Sequence, residues 1–204
     1  MDFIDLKIQY NNLKEQIDTG IQDVLNHGQY IMGPEISELE NHLSGFVNVK
    51  HSISCSSGTD ALLMALMAMD VKVGDHILTT PFTFIATAEV ISLLGAIPDF
   101  VDIDPKTFNI DTSKLEAAIT PKTRAIIPVH LHGLMADMDA VMKIAKENNL
   151  VVIEDAAQAH GAEYKGRRAG SIGDFGCFSF YPAKNLGAYG EAGVVVCKNP
   201  FHAE

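Results

Sequence analysis

The sequence predicts an α/β domain with a mostly parallel sheet, and three observations carry that expectation. Short β-rich apolar runs alternate with segments of helical spacing from residue 51 onward. At 204 residues and 47% hydrophobic, the chain is long enough to bury one large core. Two late apolar runs, "GCFSF" and "GVVVC", stand close together with little helix between them, so part of the sheet is expected to be antiparallel.

The elements follow in order. After a short amino-terminal arm, "YNNLKEQIDTGIQDVLNH" carries apolar residues at helical spacing. "GQYIMGPEISELENHLSGFV" then turns through glycines into a second helix. The strand-like runs are "HSISC", "HILTT", "IPDFVDI", "RAIIPVH" and "LVVIED". Between them lie "TDALLMALMAM", "TFIATAEVISLL", "DTSKLEAAIT" and "DMDAVMKIAKENN", which read as helices. The sequence holds no internal repeat, low-complexity linker or coiled-coil heptad. It stops at "CKNPFHAE", directly after a strand, and the expectation is a large domain whose natural continuation is absent.

The formal net charge of -11 argues against nucleic-acid and anionic-membrane partners, which need a basic footprint. A small anionic ligand held by local dipoles stays possible. No apolar run is long enough for a transmembrane helix, and "MDFIDLKIQY" lacks the layout of a signal peptide. Cys55, Cys177 and Cys197 are odd in number and form no CxxC pair, which predicts reduced thiols and a cytoplasmic protein.

Several motifs can carry chemistry. "SCSSGTDALL" is a strand end, a Ser/Gly/Thr turn and an apolar helix, a junction whose free N–H groups favour an anion. Ser56, Ser57 and Thr59 add hydroxyl donors there, and Gly58 permits close backbone approach. The plainer alternative is a simple helix cap on Ser57 or Thr59. A Walker loop is ruled out by the missing GK[ST] ending.

"LVVIEDAAQAHGA" sets Glu154 and Asp155 at the carboxyl end of a buried strand, where ligands collect in open α/β sheets. Alternatively Asp155 caps the following segment or pairs with an arginine. His130, His132 and His160 lack metal-ligand spacing, and no metal is expected. Lys165, Arg167 and Arg168 could meet a diphosphate, though a charge run with glycines is ordinarily a solvated turn. Gly187, Gly190 and Gly193 precede a strand instead of following one, which argues against a dinucleotide loop.

Lys184 is a lone lysine in the apolar, Gly-rich stretch "SFYPAKNLGAYGEAG". It either snorkels to solvent or serves a dry site as a nucleophilic amine. Such lysines form Schiff bases with carbonyls, pyridoxal phosphate among them. A phosphate cradle, a buried carboxylate and a desolvated lysine together are what that cofactor requires.

With these motifs in place, the sequence resembles the pyridoxal-phosphate-dependent nucleotide-sugar aminotransferases of the DegT/StrS type. The likeness runs through "DLKIQYNNLKEQI", "GQYIMGPEISELE", "SSGTDAL", "TTPFTFIATAEV", "FVDIDPKTFNID", "AIIPVHLHG", "VIEDAAQAHGA" and "SFYPAKNLGAYGEAG". It implies that Lys184 bonds to pyridoxal 5'-phosphate, that Asp155 meets the pyridine nitrogen, and that Gln158 lies near the ring's phenolic oxygen. Ser57, Gly58 and Thr59 would hold the phosphate with Ser179, and Phe84 would stack on the ring. The implied fold is the fold-type-I large domain, a mixed, mostly parallel seven-stranded sheet between helices. Residues 1–204 would be that domain, with an arm over about 1–34 and the small carboxyl-terminal domain missing.

The resemblance also implies a homodimer with shared active sites. One branch of such relatives carries histidine at the lysine position and dehydrates, so Lys184 favours transamination. The substrates implied are L-glutamate and a keto nucleotide-sugar, 3-keto UDP-N-acetylglucosaminuronate in particular, for bacterial surface polysaccharides such as O-antigen. The other readings are a non-catalytic protein of this fold, another pyridoxal-phosphate reaction such as aldol cleavage or a lyase step, and a Rossmann-like oxidoreductase. The last is disfavoured because no GxGxxG follows the first strand.

Overall fold

The computed structural model describes residues 4–200. Residues 1–3 and 201–204, the start of "MDFIDLKIQY" and the end of "CKNPFHAE", lie outside the described residues.

Helix α1 spans Leu6–His27, so most of the expected arm is helical. Asp5 caps it, accepting from the N–H groups of Lys7 and Ile8, and Gly28 ends it at φ 70. No residue of α1 is buried, and Leu6, Leu13, Ile21 and Leu25 stay exposed. Helix α2, Pro34–Val47, starts with a proline in its first turn and buries Leu43 and Val47.

Nine strands follow: β1 (His51–Cys55), β2 (His76–Thr79), β3 (Ile97–Phe100), β4 (Thr123–Ile126), β5 (Val151–Asp155), β6 (Glu163–Tyr164), β7 (Arg167–Arg168), β8 (Phe175–Ser179) and β9 (Gly193–Cys197). Seven form one sheet in the order β1-β9-β8-β5-β4-β2-β3. β9 pairs antiparallel with both neighbours, and the remaining pairs are parallel. Residues 180–192, which join β8 to β9, contain no helix and bring β9 back antiparallel beside β8. The helical connections elsewhere are α3 (Gly58–Ala68), α4 (Ala86–Leu93), α5 (Thr112–Ala118) and α6 (Met138–Glu147), and a helix-free segment carrying β6 and β7 joins β5 to the parallel β8.

Both sheet faces are covered, which is why the central strands read as continuous apolar runs. Along them, side chains alternate between two cores. Ile77, Ala125 and Ile153 pack with Ala61, Leu62 and Leu66 of α3 and Val90 and Ile91 of α4. Leu78, Ile126 and Val152 pack with Leu115 of α5, Met138 and Val141 of α6, and Leu43 and Val47 of α2.

One element was not anticipated. The "YKGRR" stretch is a hairpin, β6 against β7, instead of a plain turn. Its charges are paired: Lys165 and Arg167 meet Asp139, and Arg168 meets Glu163.

Candidate active site

The parallel strands end along one edge of the sheet, and the loops leaving β1, β2, β4, β5 and β8 enclose a cleft of ≈ 900 Å³. Ser57, Gly58, Thr59, Phe84, Asp155, Gln158, Ser179 and Lys184 all line it.

The floor is the start of α3. Ser57 is its N-cap, settling the choice between Ser57 and Thr59. Ser57 Oγ accepts the Asp60 N–H at 3.0 Å and donates to Asp60 Oδ2 at 2.7 Å, a reciprocal capping arrangement. Ser56 Oγ also donates to Asp60 Oδ2, at 2.5 Å. The Ser56 hydroxyl first, and the Ser57 hydroxyl with it, hold the Asp60 carboxyl below its usual value. Both serine hydrogens are therefore taken by Asp60, where the sequence suggested donors to an anion. The N–H groups of Gly58 and Thr59 and the Thr59 hydroxyl have no acceptor among the described residues.

Two glycines bring three elements together here. A Cβ on Gly58 would stand 2.6 Å from Ser179 Cβ, and one on Gly193 would stand 2.3 Å from the Ser57 carbonyl oxygen. With neither present, the end of β8 and the start of β9 close onto the helix terminus, and Ser179 reaches the cradle.

Asp155 ends β5 and is 5% exposed. Its Oδ2 accepts from Thr87 Oγ1 at 2.7 Å and its Oδ1 from the Ala157 N–H at 3.2 Å. Burial pushes its carboxyl above the ordinary range, against the pull of those two bonds and of Lys184. Of the two alternatives for Asp155, the local backbone bond exists, and no arginine pairs with it among the described residues.

Lys184 sits in the folded loop between β8 and β9. That loop is closed by Phe180 N–H to Ala192 O and Ala188 N–H to Phe180 O, at 2.8 and 2.7 Å. The lysine is half-buried; burial pulls its ammonium below the usual value, and the Asp155 charge opposes the shift in part. No hydrogen bond or ion pair holds its Nζ among the described residues.

Gln158 Oε1 accepts the His132 N–H at 2.8 Å, which leaves its Nε2 hydrogens as the donors for a ligand oxygen. Phe84 is 69% exposed, its ring free for a partner. Thr83, Thr87, Tyr181 and Glu191 line the cleft as well, although the sequence did not single them out as site residues. Thr87 carries no distinct signal in the sequence, because its helix also holds Glu89 and Ser92.

The remaining candidates fall elsewhere. His130 Nδ1 accepts the Ala136 N–H, so its proton is on Nε2, which donates to Glu154 Oε2 at 2.8 Å. Glu154 also accepts from the N–H groups of Gly170, Ile172 and Gly173. His160 stacks on Phe46, whose other face carries the Arg168 guanidinium. Among the described residues, no group of His, Cys, Asp or Glu is placed to hold a metal ion. Likewise, no helix is long and apolar enough to cross a membrane.

Comparison with known proteins gives a consistent picture. The model of the DegT/DnrJ/EryC1/StrS aminotransferase family matches residues 11–204. A UDP-2-acetamido-2-deoxy-3-oxo-D-glucuronate aminotransferase of Pseudomonas aeruginosa is 54% identical over 195 residues, covering 96% of this chain and 54% of that protein. Among solved structures, S. venezuelae DesV in complex with a ketimine intermediate superposes with a TM-score of 0.97 at 42% identity, covering 99% of this chain and 54% of that one. NtdA of Bacillus subtilis, solved with bound cofactor PMP, has a TM-score of 0.93 at 36% identity, covering 100% of this chain and 46% of that one. The chain spans about half the length of the relatives it matches.

Proposed function

This chain belongs to the DegT/DnrJ/EryC1/StrS aminotransferase family, and from that premise we propose that it moves an amino group from L-glutamate to the keto carbon of a nucleotide-linked sugar. A 3-keto UDP-sugar is favoured over a 4-keto one, in line with the Pseudomonas relative. The pathway proposed is bacterial surface polysaccharide or amino-sugar synthesis in the cytoplasm. The observation that carries the proposal is the meeting in one cleft of Lys184, the buried Asp155 and the unpaired N–H groups of Gly58 and Thr59.

The donor set fits pyridoxal phosphate. Its phosphate would rest on the Gly58 and Thr59 N–H groups with the hydroxyls of Thr59 and Ser179, in a cradle that a Cβ at Gly58 would fill. Ser57 would shape that cradle as the cap of α3. Asp155 would face the pyridine nitrogen, Gln158 Nε2 would donate to the phenolic oxygen, and Phe84 would cover the ring. When bound, the cofactor supplies an electron sink for the negative charge developed at the carbon that loses its proton.

The chain's own groups do the rest. Lys184 Nζ would be the group that holds the cofactor's carbonyl carbon. As a free amine Lys184 would be the base for the donor's α-proton, and burial makes it easier to deprotonate. Asp155, kept charged, holds the proton on the ring nitrogen.

In this proposal residues 1–204 are the large cofactor-binding domain, and a second copy completes each site. The exposed apolar residues of α1 suit burial by that copy. The test is direct. Added pyridoxal phosphate should give a yellow, borohydride-reducible chromophore, with reduction labelling the peptide that holds Lys184. Glutamate should then bleach it with release of 2-oxoglutarate. Colour and labelling that persist in Lys184→Ala would sink the assignment.

A further inference from the structure

One polar chain in the cleft wall has no part in the account above. Thr87 stands in the first turn of α4 and is 1% exposed. Its Oγ1 lies 2.7 Å from Asp155 Oδ2, and the Thr83 hydroxyl lies 3.3 Å from it on the other side. An ionised carboxylate only accepts, so the Thr87 hydrogen goes to Asp155. Thr87 Oγ1 must then accept from Thr83. The chain runs one way, from Thr83 to Thr87 to Asp155. Thr87 is also the one side chain that hydrogen-bonds Asp155 among the described residues, the other bond coming from the Ala157 backbone.

Resting on the cofactor assignment made above, we propose that Thr87 is a positioning residue that keeps Asp155 ionised and fixes the plane of its carboxylate, with Thr83 as the cleft-facing end of the relay. The surroundings leave this task to Thr87. Burial opposes the charged form of Asp155, and the Thr87 bond is the foremost opposing influence. Lys184, from the loop after β8, favours the charge from farther off. Cys177 of β8 is a neighbour, but burial pushes its thiol well above the ordinary value and leaves it uncharged. His130 also favours the charge on Asp155, though less than the Thr87 bond, and its Nε2 is engaged with Glu154, whose carboxylate points into the other core. The start of α4 adds its partial positive charge from the same side as Thr87.

The experiment uses the full chain with 13C-labelled aspartate, first without cofactor, and Asp155→Asn assigns the signal. Thr87→Val should raise the titration midpoint of the Asp155 carboxyl by about one to two pH units, the loss expected for one hydrogen bond to a charged group. Thr87→Ser should restore it, and Thr83→Val should move it the same way by less. With pyridoxal phosphate added, Thr87→Val should weaken cofactor binding about tenfold and displace the pH midpoint of the yellow band. An Asp155 midpoint unmoved in Thr87→Val, with only the melting temperature lowered, would reduce Thr87 to packing and overturn the proposal. A shifted carboxyl with unchanged cofactor affinity and spectrum would overturn the positioning role. Should Thr87→Val fail to fold, Thr83→Val is read by the same criteria, and Thr87→Ser should keep the wild-type midpoint. A wild-type chain that takes up no cofactor would sink the proposed function, while the carboxyl titration still decides whether Thr87 governs Asp155.

Discussion

Glu154 and Asp155 are consecutive residues of β5, yet their carboxylates occupy different compartments. Glu154 points into one core, where His130 and three backbone N–H groups take up its lone pairs. Asp155 points to the cleft, with one hydroxyl and one N–H on it. Period-two alternation along a strand separates them. Their substitutions should separate as well. Glu154→Gln puts amide hydrogens against fixed N–H donors and should cost about 3 kcal/mol or more in urea unfolding. Asp155→Asn removes a charge that burial disfavours, so its unfolding midpoint should hold or rise. Amino transfer from glutamate should instead fall at least about a hundredfold, one positioned proton-holding group being worth that much. Equal losses of stability in the two variants would contradict the division.

The approach of α3 to β8 makes a second prediction. Gly58→Ala places a methyl 2.6 Å from Ser179 Cβ, and overpacking of that kind costs about 1–3 kcal/mol. Removing the opposing atom in Gly58→Ala/Ser179→Gly should recover much of that loss. A double-mutant cycle measures the coupling directly. Additive effects would mean that the two elements do not touch as described.

Much of this was legible in the sequence, for identifiable reasons. The central strands of the large sheet showed as apolar runs, because layers on both faces demand apolar residues at successive positions, a demand that relaxes at the edge strands β1 and β3. The order of β9 between β1 and β8 is set by long-range pairing, which no local pattern encodes. Lys184, Asp155 and the Ser57–Thr59 turn were visible because each breaks its local pattern at a strand end. Thr87 was hidden, since a threonine in the first turn of a helix is unremarkable until its partner on β5 is known. The serine hydroxyls read as ligand donors in the sequence, whereas in the structure both donate to Asp60, an acceptor that the Ser57-x-x-Asp60 spacing already offers.

His160 predicts a pH dependence of stability. It stacks on Phe46 with ring centroids 4.9 Å apart, also meets Phe178 and Phe180, and leaves Nδ1 without a partner among the described residues. Burial, aided by the Arg168 charge, holds its pKa below the ordinary 6.5. The unfolded chain therefore takes up this proton at a higher pH than the folded one. Stability is fully present above 6.5 and falls as the pH drops toward the folded-state value. His160→Phe keeps an aromatic on Phe46 and removes the proton. Urea unfolding at about pH 7.5 and about pH 5.5 should show a larger acid loss in the wild type than in the variant. Parallel losses would place the acid sensitivity elsewhere.

Lys184 gives a prediction independent of any cofactor. Burial lowers its pKa from the ordinary 10.5, while the Asp155 charge works in the opposite direction. Removing that charge in Asp155→Asn should lower the lysine further. The readout is the pH profile of its reductive methylation, followed on the tryptic peptide by mass spectrometry. Half-maximal modification should occur below 10.5 in the wild type and lower still in Asp155→Asn. A profile unmoved in the variant would mean that the two groups do not sense one another. Their shared cleft would then be a matter of proximity without electrostatic coupling.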